Sequence, residues 1–370
     1  MEKKIQEIRN DKLEKNAKML VAIVGCGSIA KVHAKILNQM SKVKLVAFVD
    51  CIIERAKEFN NEFGDLSSKC FESIEELFSQ RKVDVIHICT PHYLHVPMAI
   101  EALLQGVNVF MEKPPAISKD EFLILKNMVE QGRTHLGFCF QNRFNDSTKA
   151  VETLLHSSEA GKIIGGRGFV TWDRNLEYYI ESDWRGRKSK EGGGCLINQA
   201  IHTLDLLNRF MGGQPIKIQA RMANFHLSKE IEVEDTLNAL IEYKDKRKAC
   251  FYATTAYVTN SPILIEIECE NMTVRLEGSE VFCINREGER KKISFKQGDV
   301  LGKDYWGNGH NACILEYYHC LEESRTFSAD IFGVEDIFLL TMDIYESAAY
   351  ESIIDKSNTE GRNYNDNFKE

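Results

Sequence analysis

The chain has 370 residues, more than one hydrophobic core usually organises, so two domains are expected. Its 43% hydrophobic and 28% charged residues are those of an ordinary globular protein, and a net charge of 47 − 55 = −8 without a basic stripe argues against a nucleic-acid partner. No apolar run reaches the roughly 18 residues a membrane helix needs, and the charged stretch 1–18 lacks the apolar centre of a signal peptide, so it reads as an extension of a cytoplasmic protein.

The first element is the apolar run Met19-Leu20-Val21-Ala22-Ile23-Val24, which reads as a strand buried on both faces. Gly25-Cys26-Gly27-Ser28-Ile29-Ala30 follows at once and opens a helical pattern carrying Ile29, Val32, Ile36 and Leu37. This is G-x-G-x-x-A between strand and helix. The first Gly permits a tight turn, the second lets a pyrophosphate approach the backbone, and Ala30 lets helix and strand pack closely. The second strand, 45–49, ends in Asp50, about 20 residues on, where a ribose-binding acid belongs. A carboxylate there accepts from the ribose hydroxyls and repels a 2′-phosphate, which favours NAD over NADP.

A third strand, 83–89, runs through His87, read as a packed core histidine, to Cys89 and into Thr90-Pro91. Proline cannot continue a central strand, so the chain turns at the sheet edge where the nicotinamide half would lie, and His95 and Pro97 open the next helix. Val107-Asn108-Val109-Phe110-Met111 then ends in Glu112-Lys113-Pro114-Pro115. Ligands of open α/β sheets bind beyond the carboxyl ends of strands, which puts Lys113 where chemistry happens. Eleven cysteines with no C-x-x-C pair point to reduced thiols, with neither a zinc site nor a disulfide framework.

Up to about residue 137 strands and helices alternate, as in a doubly wound parallel sheet. Beyond about residue 150 strand-like runs follow one another at 162–172, 216–224, 236–243, 247–257, 263–269 and 273–277, which predicts a mostly antiparallel second sheet. The domains expected are 19–140 and 141–355, joined through the polar segment holding Gln141, Asn142 and Arg143. Helices are expected at 311–322 and 334–354, before a loose polar tail over 356–370.

Within the second domain, Gly192-Gly193-Gly194 precedes a helical pattern at 195–207 that sets Asn198 and His202 at i and i+4, with Asp205 one turn on to orient the imidazole. Trp172-Asp173-Arg174, Tyr178-Tyr179 and Trp184-Arg185-Gly186-Arg187 concentrate aromatics and arginines before the glycines, either as walls of a sugar site or as a loop packing on a partner subunit. Trp306 and His310 form a similar loop, favoured as a helix boundary.

The fingerprint at 25–30, Thr90-Pro91, Glu112-Lys113-Pro114 and the segment 192–205, in this order, resemble the glucose-fructose oxidoreductase, inositol dehydrogenase and rhizopine-catabolism (Gfo/Idh/MocA) family. The resemblance implies a Rossmann domain followed by an α/β domain with an open, mostly antiparallel sheet that supports dimers or tetramers. It also implies NAD(P)-dependent oxidation of a secondary alcohol of a sugar or cyclitol, with Lys113 and His202 as active-site residues. Asn198 stands where many members have aspartate, and so reads as a positioning residue. The cofactor positions are then Gly25, Cys26, Gly27, Ser28, Ile29, Asp50, Cys89, Thr90, Pro91, His95, Glu112, Lys113 and Arg143, and the substrate positions Lys113, Asn198, His202, Trp184 and Arg185. Either His202 or Lys113 serves as base. The alternatives are a redox-neutral hydrolase or lyase that uses NAD transiently, and a non-catalytic sensor of NAD or sugar.

Overall fold

Runs of apolar residues too short for helices become six parallel strands in the first half of the chain, in a computed structural model that describes residues 18–303 and 307–357. The expected N-terminal extension and Trp306 lie outside the described residues. The first compact unit comprises residues up to Ala116 together with Asp120–Phe140 and His310–Gly333. Its elements are β1 (Met19–Val24), α1 (Ser28–Gln39), β2 (Val43–Val49), α2 (Ile53–Phe63), β3 (Lys69–Phe71), α3 (Ile74–Gln80), β4 (Val85–Ile88), α4 (His95–Leu104), β5 (Asn108–Met111), α5 (Lys119–Gln131) and β6 (Leu136–Phe138). The strand order is β3-β2-β1-β4-β5-β6, all parallel, the doubly wound Rossmann arrangement.

Sequence and packing agree here because a strand covered on both faces must be apolar at every position. Val21 to Val24, Leu45 to Val49 and Val109 to Met111 are all buried. Each Val, Leu, Ile, Phe or Met among them contributes about 1.5–3 kcal/mol of burial. The reversal of strand order falls between β1 and β4. It brings the glycine turn after β1 beside Cys89 and Thr90 after β4.

The second unit holds Ile117–Lys119, Gln141–Gly309 and the chain from Val334. After α6 (Asp146–Leu155) come β7 (Ile163–Thr171), the short helices α7 (Leu176–Ile180) and α8 (Lys188–Glu191), a π-wound turn at Cys195–Ala200, and α9 (Ile201–Phe210). Then follow β8 (Pro215–Ala223), β9 (Thr236–Tyr243), β10 (Lys248–Thr254), β11 (Leu264–Cys269), β12 (Met272–Glu277), β13 (Glu280–Asn285) and β14 (Arg290–Lys292). With β15 (Ile354–Asp355) they form a nine-stranded sheet ordered β14-β13-β12-β11-β7-β10-β9-β8-β15. Its pairs are antiparallel except β7 with β10. In β9 the buried Leu237, Ala239, Ile241 and Tyr243 alternate with more exposed residues, the two-residue period of a sheet covered on one face.

Three expectations are corrected. The stretch 141–355 is not one domain, because His310–Gly333 belongs to the first unit. There, in α10 (Gly309–Glu323), the Tyr317 hydroxyl donates to the Val109 carbonyl at 3.0 Å, and Asp330 bridges to Gly137 beside β6. The helix expected at 334–354 is α11, Glu335–Ala349: Glu351 takes a left-handed φ of 51°, and the chain leaves the helix to add β15 to β8. The expected tail is also anchored at its start, since the Lys356 amide donates to the Ile216 carbonyl and its ammonium sits 2.7 Å from Asp343.

Candidate active site

In the first unit the turn after β1 is shaped for a phosphate. Gly25 has φ of 89°, and a Cβ there would lie 2.7 Å from the Cys89 carbonyl oxygen, so only glycine fits. Around Gly27 the space is open, and Gly27 precedes α1 without any side chain capping the helix. The first N–H groups of α1, beginning at Ser28 and Ile29, are thus available to an anion. The buried Asp50 accepts from the Cys26 amide (2.9 Å) with one oxygen and from the Ile52 amide (2.9 Å) with the other. It therefore fixes the glycine turn. Burial, with the Asp50 charge, pushes the Cys26 thiol well up, so it stays protonated. The Thr90 hydroxyl is buried with no partner, an orphan that a ligand oxygen or amide could satisfy. Bare helix amides, open space at Gly27, an acid at Asp50 and this orphan hydroxyl fit a dinucleotide.

His95, expected to touch cofactor, instead holds two loops. Its ring nitrogens lie 3.0 Å from the Thr90 carbonyl and 2.9 Å from the Pro114 carbonyl, and it is wholly buried. Burial keeps it below its ordinary pKa. The segments after β4 and β5 are tied together through it. Pro91 begins the turn between Thr90 and α4, and Lys113, half-buried, follows β5 at a cis peptide to Pro114.

Beneath Lys113 lies a buried chain of polar side chains that the sequence did not announce. His33 Nε2 is 3.1 Å from Glu112 Oε1, His33 Nδ1 is 2.8 Å from His87 Nδ1, and His87 Nε2 is 2.9 Å from the Tyr318 hydroxyl. Burial opposes charge on His33, but Cys89, Cys139 and Glu112 outweigh it and hold the imidazolium well above its usual range. Burial opposes charge on Glu112 too, and His33, then His310 and Lys113, hold it well below the usual carboxylate range. His87 is pushed down by burial and by His33. The ligating atoms of His33, Glu112 and Cys139 all lie within 4.8 Å of one another. The sequence signal for the chain was only His87 in β4, read as a packed core histidine; His33 on α1 was not singled out.

In the second unit the glycine triplet makes room for protein, not ligand. A Cβ at Gly193 would lie 2.2 Å from the Tyr345 hydroxyl, and one at Gly194 would overlap the Glu234 carbonyl. Glu234, buried, accepts from the Gly194 amide (2.7 Å) and the Leu196 amide (3.0 Å), while the Ile197 amide donates to the Tyr345 hydroxyl (3.2 Å). Those amides are satisfied from outside the helix. The expected single helix at 195–207 is accordingly a π turn holding Asn198 followed by α9 holding His202, both half-buried. Asn198 donates to buried Glu191 at 2.5 Å and to the Tyr178 hydroxyl at 3.3 Å. Asp205, expected to orient His202, gives both oxygens to Arg143, at 2.8 Å from Nε and 2.7 Å from Nη2. Arg143, expected at the cofactor, is a buried member of that ion pair. Arg185 stacks on Tyr178 and lies beside Trp184. Glu234, Tyr345 and Gln199 were missed because their partners lie far away in sequence, and Glu191 because the bend between α8 and the π turn, not helical spacing, brings it to Asn198.

Residues 19–137 match the family described as "Oxidoreductase family, NAD-binding Rossmann fold", and 148–275 match the GFO/IDH/MocA C-terminal domain. The chain belongs to the Gfo/Idh/MocA oxidoreductase family. It is 30% identical over 203 residues to D-glucoside 3-dehydrogenase of Escherichia coli (strain K12), a match covering 53% of this chain and 55% of that protein. The chain thus spans about half the length of that relative. To trans-1,2-dihydrobenzene-1,2-diol dehydrogenase of Mus musculus it is 28% identical over 307 residues, 79% of this chain and 84% of that one. The WlbA dehydrogenase of Bordetella pertussis, solved with NADH and UDP-GlcNAcA, superposes with a TM-score of 0.79 at 27% identity, over 91% of this chain and 98% of that one. Among the described residues no helix is long and apolar enough to cross a membrane.

Proposed function

We propose that this Gfo/Idh/MocA oxidoreductase is an NAD-dependent dehydrogenase that oxidises a secondary alcohol of a sugar, cyclitol or sugar derivative. The observation that carries the reading is the uncapped glycine turn with Asp50 on one side and Thr90 on the other, in the unit whose β5 is followed by Lys113. The relatives named for a glucoside and for a cyclic diol support the substrate class.

The α1 amides and Gly27 hold the pyrophosphate, and Asp50 holds the adenosine ribose. NAD, when bound, accepts the hydride. Lys113 donates a hydrogen bond to the substrate oxygen and stabilises the negative charge that develops on it. His202 takes the hydroxyl proton. Asn198, held by Glu191 and Tyr178, orients the sugar through neutral hydrogen bonds. In the cell we place the protein in the cytoplasm as a homo-oligomer.

The test is a screen of sugars, cyclitols and sugar nucleotides for NADH formation by the full chain. Reduction of NAD⁺ in proportion to substrate consumed is expected. Turnover without net NADH would replace dehydrogenation by a redox-neutral reaction, and NAD binding with no turnover on any compound would favour a sensor.

A further inference from the structure

Tyr178 in the second unit carries a guanidinium on its ring twice over: Arg185 Cζ lies 4.3 Å from the ring centroid and Arg174 Cζ 5.3 Å. Arg185 also lies 5.5 Å from the Trp184 ring, and Arg174 5.1 Å from Trp172. Stacking of this kind fixes a guanidinium in place while leaving its in-plane N–H groups to be used. The Tyr178 hydroxyl accepts from Gln199 Nε2 at 2.7 Å and from Asn198 Nδ2 at 3.3 Å. One aromatic ring therefore ties the two cations to the residue that precedes His202 by four positions.

The hydrogen bonding of Arg185 is incomplete. Its Nη1 donates to the Tyr178 carbonyl at 3.1 Å, but its Nε is buried and has no partner. Among the described residues no carboxylate pairs with it. The same unit shows what that edge of a guanidinium is for, because Arg143 uses its Nε and Nη2 together to grip both oxygens of Asp205. Arg185 has no such oxyanion at its Nε. A buried charged donor left unpaired is destabilising, and folding alone gives no reason to keep one.

The carboxylate near this ring, Glu191, is engaged elsewhere: its oxygens accept from Asn198 Nδ2 and from the Gly186 amide, each at 2.5 Å.

We propose that Arg185, backed by Arg174, binds an oxyanion on the substrate, so that the preferred substrate is an acidic sugar bearing a carboxylate or a phosphate. The inference rests on the reading of the second unit as the sugar-binding half. A side-on guanidinium pair with an oxyanion is short, charge-assisted and geometrically selective, and lysine cannot reproduce it.

The test uses the full chain loaded with NADH and three matched ligands, D-glucose, D-glucuronate and D-glucose 6-phosphate, titrated calorimetrically. One of the two acidic ligands should bind about tenfold or more tightly than glucose, and which one does so separates carboxylate from phosphate. In Arg185→Met that ratio should collapse towards one, and Arg185→Lys should restore only part of it. Equal or tighter binding of glucose, acid preference that survives in Arg185→Met, or no binding of either acid would each overturn the proposal. Oxidation of a neutral sugar by the same chain supplied with NAD⁺ instead of NADH would leave the dehydrogenase reading standing, so the two ideas fail separately.

Discussion

His33 Nε2 lies 3.1 Å from Glu112 Oε1, both groups being buried in the first unit, one residue before Lys113. The neighbours fix the protons. His33 can donate from both nitrogens, to Glu112 and to His87, only as an imidazolium; His87 then accepts at Nδ1 and donates from Nε2 to Tyr318. Removing one partner strands the other charge. His33→Ala and Glu112→Gln should each cost about 3–5 kcal/mol in denaturant unfolding, and the double variant should cost clearly less than their sum.

The same pair sets a pH window. Glu112 is depressed in the folded state, so its stabilisation is complete above the ordinary glutamate pKa of 4.5 and is lost as pH falls below that value. His33 is raised, so its stabilisation is complete below the ordinary histidine pKa of 6.5 and is lost as pH rises beyond it. The pair should therefore contribute most between those values. Unfolding measured across pH for the parent chain and for His33→Ala should differ most there, and a difference that grows steadily towards alkaline pH would contradict the assignment.

Asp50 serves both the turn and the cofactor. NAD should bind about tenfold or more tightly than NADP, a preference of about 1.4 kcal/mol or more. Asp50→Ala should relax that preference and also weaken NAD, because the Cys26 and Ile52 amides lose their acceptor. Fluorescence titration with both cofactors measures each effect, and equal affinities in the parent chain would sink the ribose assignment.

Lys113→Ala and His202→Ala should each lower kcat about a hundredfold or more on the substrate found by the screen. The losses should be less than additive, since both residues serve one reaction step. NAD affinity should change far less. Near-normal turnover in His202→Ala would shift the proton acceptor to Lys113.

Asn198→Asp exchanges groups of like shape, yet the structure makes it costly to stability. Asn198 donates to Glu191, so the new carboxyl would face an existing one at 2.5 Å. One of the two must take a proton, its folded pKa rising above the unfolded value. The cost, about 1–3 kcal/mol, should be absent at acid pH and grow as pH rises towards neutrality. Thermal unfolding at two pH values checks it, with Asn198→Ala as the uncharged comparison that should show no such dependence.

The first sheet was legible in the sequence because parallel strands buried on both faces write themselves as unbroken apolar runs, and the glycine turn, Asp50, Thr90 and Lys113 all hang on their ends. Short or edge strands such as β3, β6, β14 and β15 left too little pattern to read. The allotment of His310–Gly333 to the first unit was hidden for another reason: helical periodicity says which face of α10 is apolar, not which distant strand it covers. The partners of charged groups were hidden most deeply. Asp205 found Arg143 rather than His202, Asn198 found Glu191, and His33 found Glu112 across contacts separated by 62, 7 and 79 residues. A hydrogen bond depends on position within about half an ångström, whereas sequence spacing fixes neighbours only along one helix or strand. The sequence by itself determined the family, the Rossmann scaffold and the residues that end its strands; tertiary structure alone decided which buried charges are paired, and that Arg185 Nε is left without a partner.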